Sequence, residues 1–93
     1  MNVIESFRHK GLKKLWQTGR SPKVNASLVK RIHLRLDFLA AAKSLAALNQ
    51  PGFDFHPLRG TPARYSIHVN GPWCITFEWI EGWALRVDLE QYH

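Results

Sequence analysis

Among its 93 residues the chain has a single cysteine, Cys74, so no intrachain disulfide can form. No apolar run approaches the ~20 residues that a membrane-spanning helix needs. The first residues, "MNVIESFRHKG", lack the apolar segment of a secretory signal. These absences point to a cytoplasmic protein with no membrane contact. Acidic residues are also scarce: seven Asp and Glu stand against 13 Lys and Arg, for a formal charge of +6. An excess of that size favours polyanions through phosphate contacts and counterion release, which suits nucleic acid, the ribosome or an acidic protein.

The signatures of several enzyme classes are missing as well. There is no glycine-rich phosphate loop, no serine-centred elbow and no Cys–His signature. The five histidines, His9, His33, His56, His68 and His93, have no short paired spacing, so no zinc site and no cofactor are expected. Cys74 on a strand suits a small half-buried residue better than a nucleophile. Internal repeats and low-complexity segments are absent.

What is present is the apolar content of a folding domain: 45% hydrophobic residues, with four Trp and five Phe, against 22% charged. A single domain over residues 1–93 follows from the length. "VIES" at 3–6 suits a strand. Over residues 8–18, Leu12, Leu15 and Trp16 follow the helical i, i+3, i+4 rule, and Gly19 stands where a helix stops. After the turn-rich "GRSPKVNAS", with Asn25 as cap, Val29, Ile32, Leu36 and Leu39 share one helical face, which predicts a long helix ending near residue 48. "FHPLRG" at 55–60 reads as a loop.

Beyond it the period changes to two. Tyr65, Ile67 and Val69 alternate with Ser66, His68 and Asn70; Trp73, Ile75, Phe77 and Trp79 alternate with Cys74, Thr76 and Glu78; Leu85, Val87 and Leu89 alternate with Arg86, Asp88 and Glu90. The order strand, helix, helix and three-stranded meander predicts an α+β fold, with both helices on one face of a small antiparallel sheet. The sheet's other, polar face is then where chemistry could sit.

His56, Arg59, Arg64, Tyr92 and His93 remain as a group with phosphate-binding and proton-transferring members. RNA can be cleaved without a metal, because its own 2′-OH attacks the neighbouring phosphorus and the enzyme supplies a base, an acid and cations. Histidine, with an ordinary pKa of ~6.5, suits either proton-transfer role. Each residue alone has a plainer use: His56 capping a turn, Arg59 pairing with a carboxylate, Tyr92 packing, His93 fraying. Lys10, Lys13 and Lys14 on the first helix, and Lys30, Arg31 and Arg35 on the second, could likewise form solvated faces.

Four stretches, "SFRHKGLKKLW", "HPLRG", "SIHVNGPWCITF" and "VDLEQYH", occur in the order found in the HigB toxins, and over nearly its whole length the chain resembles that family, the plasmid-maintenance killer proteins of the RelE-type superfamily. The resemblance implies a microbial-RNase-like fold and a ribosome-dependent mRNA endonuclease of a type II toxin–antitoxin system. Its partners would be a HigA-type helix-turn-helix antitoxin, the ribosome and mRNA, and operator DNA through the antitoxin complex. Arg59 would face the scissile phosphate with His56 in the same site, Tyr92 would lie against RNA and His93 would transfer protons. The products would be a 2′,3′-cyclic or 3′ phosphate and a 5′-OH.

Three positions depart from the family pattern. Where many relatives carry an arginine in "W-R-I", this chain has Cys74, and Arg64 or Arg86 is the candidate stand-in. Gln91 replaces an aspartate before the terminal "YH", so any carboxylate role moves to Glu90 or vanishes. Trp83 in "GWAL" replaces the polar residue of "GDAY". With Lys10, Lys13, Lys14, Lys30, Arg31 and Arg35 as a ribosome-docking surface, the first reading is the ribosome-dependent endonuclease. The alternative is a catalytically impaired homologue that binds antitoxin and ribosome, and a plain nucleic-acid-binding domain is the third.

Overall fold

The structure, a computed structural model, describes residues 4–91. Helix α1 (Lys10–Thr18) begins at His9, whose Nδ1 accepts the Leu12 N–H at 3.1 Å, and ends at Gly19. Gly19 has φ 79°, a left-handed conformation that costs glycine little, and its N–H returns to the Leu15 carbonyl at 2.8 Å. Asn25 caps as expected, accepting the Ser27 N–H at 2.9 Å, and opens a short 3₁₀ turn that leads into helix α2 (Val29–Ala41).

Helix α2 is shorter than its spacing predicts. Ala42 leaves the helix in an extended conformation, and a second 3₁₀ turn, Leu45–Leu48, follows. The alanine- and leucine-rich segment could continue the helix on propensity alone, but the bend carries Ala42 and Leu48 into the core. Burial outweighs the propensity difference, which is at most ~0.7 kcal/mol per residue.

The sheet has four antiparallel strands in the order β1 (His56–Leu58), β2 (Arg64–Asn70), β3 (Trp73–Ile80) and β4 (Trp83–Gln91). Strands β2 to β4 are the expected meander. The "FHPLRG" segment is a correction: His56, Pro57 and Leu58 pair with Ser66, Tyr65 and Arg64, so half of the expected loop is an edge strand. Three residues are too few to show a period, and an edge tolerates the proline. The expected N-terminal strand is reduced to two parallel bridges onto β4, Ile4 to Ala84 and Phe7 to Val87, while Val3 lies outside the described residues.

Both helices pack on one face of the sheet, as expected for this α+β architecture. Leu12, Leu15, Ile32, Leu36 and Leu39 meet Ile67, Val69, Ile75, Phe77, Ala84 and Val87 there. A bulge alters the face assignment on β4: Asp88 lies opposite Thr76 but Leu85 lies opposite Glu78, which leaves one extra residue on β4. Arg86, at φ 47°, sits in that bulge. Leu85 therefore shares the polar side with Glu78, and Ala84 and Val87 take the core positions. Arg35 is a second correction. Instead of facing solvent with Lys30 and Arg31, it is 7% exposed, donates from Nε to the His68 carbonyl at 2.8 Å and lies over the Phe53 ring.

Candidate active site on the polar face of the sheet

Strand pairing sets the site, because residues directly opposite one another on antiparallel strands project to the same side. His56, Ser66, Thr76 and Asp88 are successive partners across all four strands and form one row. His68, Cys74 and Glu90 form the next. Arg64 belongs to the same side of β2 as Ser66, two residues away. The turn-and-strand sequence of residues 52–58 is thus what brings a histidine from an edge to the head of a polar row.

The local backbone also fixes how that histidine can act. Asp54 has a left-handed φ of 45°, and its carbonyl lies 2.7 Å from His56 Nδ1. A carbonyl can only accept, so Nδ1 carries the proton and donates it to Asp54. In the neutral ring the lone pair is then on Nε2, the nitrogen away from the backbone. His56 is exposed, and such a ring can accept a proton at Nε2.

Guanidinium and carboxylate groups fill much of the remaining polar face. Arg64 Nη1 donates to Glu90 Oε1 at 2.6 Å, and the Thr76 hydroxyl donates to the same oxygen at 2.6 Å. The pair spans from β2 to β4 over the central strand, where Thr76 is completely buried. Arg86 Nη1 meets Glu78 Oε1 at 2.9 Å, and Arg8 approaches Asp88 at 4.0 Å. Cys74 is buried on this side, as strand parity predicts, and Ser66 Oγ is buried with no hydrogen-bond partner among the described residues. Arg59 follows β1 and is exposed. Among the described residues no three His, Cys, Asp or Glu side chains are grouped to hold a metal ion.

The family described as the RelE-like toxin of the type II toxin–antitoxin system HigB matches residues 5–93. A curated relative, "Endoribonuclease HigB" of Proteus vulgaris, is 41% identical over 92 residues, which cover 98% of this chain and 100% of the relative. The chain belongs to the HigB-like toxin family. Family membership implies an antitoxin partner.

The fold of this HigB-like toxin distributes the expected site residues over two sides. His56 and Arg64 share the polar face, Arg86 reaches it through Glu78, and Arg59 stands at the exit of the edge strand. Tyr92 and His93 lie outside the described residues; Gln91 is the last residue of β4, opposite Trp73. Lys10, Lys13 and Lys14 are exposed on α1, in the helical layer on the other side of the sheet. Lys13 also lines a polar cavity of about 340 Å³ with Trp16, Gln17 and the N-terminal residues 4–7.

Sequence reading missed the junction of Thr76, Glu90 and Arg64. Its signal was present in part, since alternation puts Thr76 and Glu90 on the polar side. That Arg64 reaches Glu90 depends on side chains spanning two strand spacings, which periodicity does not encode.

Proposed function

We propose that the protein is an endoribonuclease toxin that cleaves mRNA on the translating ribosome, without a metal, and that a HigA-type helix-turn-helix antitoxin neutralises it. The observation that carries this reading is the placement of the exposed His56, its Nδ1 against the Asp54 carbonyl, on the same sheet face as Arg64. The name of the Proteus vulgaris relative supports the reaction class.

In this reading a ribose 2′-OH attacks the adjacent phosphorus and the 5′-oxygen leaves. His56 and His93 share the two proton transfers, one removing the 2′-OH proton and the other protonating the leaving oxygen. Arg59 and Arg64 hold the phosphate and stabilise its developing charge. Tyr92 packs against the RNA and orients it. The products are a 2′,3′-cyclic phosphate, which can open to a 3′ phosphate, and a 5′-OH. Lys10, Lys13, Lys14 and Arg86 contribute phosphate contacts to RNA and the ribosome. The site of action is the cytoplasm, and operator DNA is engaged through the antitoxin complex.

A second reading has its own observation: Cys74, buried on the polar face, offers no cation where many relatives carry an arginine. A protein weakened in this way would bind antitoxin and ribosome but cut slowly. Controlled expression separates the two. The endonuclease predicts growth arrest that is lost in His93→Ala and Arg59→Ala at equal protein levels, whereas arrest that persists in both variants would support the binding protein.

A further inference from the structure

Glu90 and Thr76 form a junction that ties a carboxylate on β4 to the central strand and to a guanidinium on β2. Glu90 Oε1 accepts two short hydrogen bonds, from the guanidinium of Arg64 and from the hydroxyl of Thr76, both at 2.6 Å. Bonds of this length to an ionised oxygen are at the strong end for proteins. A carboxylate tied at one oxygen by two such bonds is held in place, which suits a group that positions its partners. The Arg64 and Glu90 side chains are 28% and 27% exposed, so the junction is sheltered but within reach of solvent.

The placement of the junction is specific. Thr76 belongs to the row that His56 heads, with Ser66 between them. Its hydroxyl fixes the carboxylate above the central strand, and the carboxylate fixes the guanidinium. A free arginine carries about 2 kcal/mol of side-chain rotamer entropy, which phosphate binding would otherwise have to overcome. Guanidinium has five donors in a rigid fork, so one edge can meet a carboxylate while another meets a phosphate oxygen.

Resting on the reading of this face as the RNA-cleaving site, we propose that Glu90 is a positioning residue: with Thr76 it braces Arg64 to receive the scissile phosphodiester of RNA, and it is not the reaction's base. Arg64 then provides, from the neighbouring strand, the cationic group that Cys74 does not.

The test is cleavage of an mRNA in a reconstituted translation system, with kcat and KM measured for folded variants checked by thermal unfolding. Arg64→Ala should lower kcat by about 10²–10³-fold, as loss of one transition-state donor does. Glu90→Ala should lower kcat by about tenfold to a hundredfold through misplacement of Arg64. Glu90→Gln keeps an acceptor at the same place and should lose about an order of magnitude less. Thr76→Ser should recover most of what Thr76→Val loses. In the Arg64→Ala background, Glu90→Ala should cost nothing further, because the two act as one unit.

The proposal is overturned by Glu90→Gln as damaging as Glu90→Ala, which marks a base, or by an undiminished Glu90→Ala loss in the Arg64→Ala background. A merely structural tie would shift the melting temperature of Glu90→Ala and leave kcat of the folded protein intact. Full activity of Arg64→Ala alongside an inactive His93→Ala would defeat the brace and leave the site standing. Full activity of both would defeat the site itself.

Discussion

Arg35 shows how a charged residue on an exposed-looking helix stripe can belong to the core. Burial, and secondarily the positive charge of Arg31 one turn away, pull its guanidinium below the ordinary value. Its donors meet backbone carbonyls, those of His68 at 2.8 Å and Arg31 at 3.4 Å. Replacing Arg35 by Met leaves the His68 carbonyl without this donor and should cost about 1–3 kcal/mol in denaturant unfolding, with cleavage by the folded protein unchanged. Arg31→Gln should do the opposite, raising stability by ~0.2–0.5 kcal/mol as the like-charge pair is relieved. Arg59 is exposed and predicts a different pattern: Arg59→Ala should leave the melting temperature in place and lower the cleavage rate by about 10²–10³-fold.

At the scale of elements, what the sequence revealed depended on segment length. Helix α1 and strands β2 and β3 were legible because each repeats its period several times, and both cap residues announce themselves chemically. The strand β1 was not legible, since three residues around a proline carry no period and the pairing exists only once β2 is beside it. The bulge at Arg86 was invisible for a related reason: alternation assumes an unbroken register, and one inserted residue moves Leu85 to the other side. Half of the candidate site was therefore readable as a polar face, while its joining contacts were not. The β3–β4 turn offers a clean test of the local geometry. Glu81 has φ 49° and Gly82 φ 86°, a hairpin turn that favours asparagine before glycine. Glu81→Asn should raise stability by roughly 0.5–1 kcal/mol, from the smaller penalty for a left-handed residue; a fall in the denaturant midpoint would contradict this account of the turn.

At the level of the whole molecule, the described residues present two contrasting polar sides. The helical layer carries exposed Lys10, Lys13 and Lys14, and the opposite, polar face of the sheet carries His56 and the braced Arg64. With a formal charge of +6, association with ribosomal RNA should weaken steeply as salt rises. Replacing the three α1 lysines by Ala should flatten that dependence in ribosome co-sedimentation while leaving unfolding unchanged. The central claim, that the polar face cleaves mRNA and does so on the ribosome, is tested most directly by primer extension on an mRNA in a reconstituted translation system, with the protein, with His93→Ala and with ribosomes omitted. New 5′ ends should appear only with both the ribosome and an intact His93. Cleavage that persists in His93→Ala or with ribosomes omitted, or none under any condition, would overturn that claim.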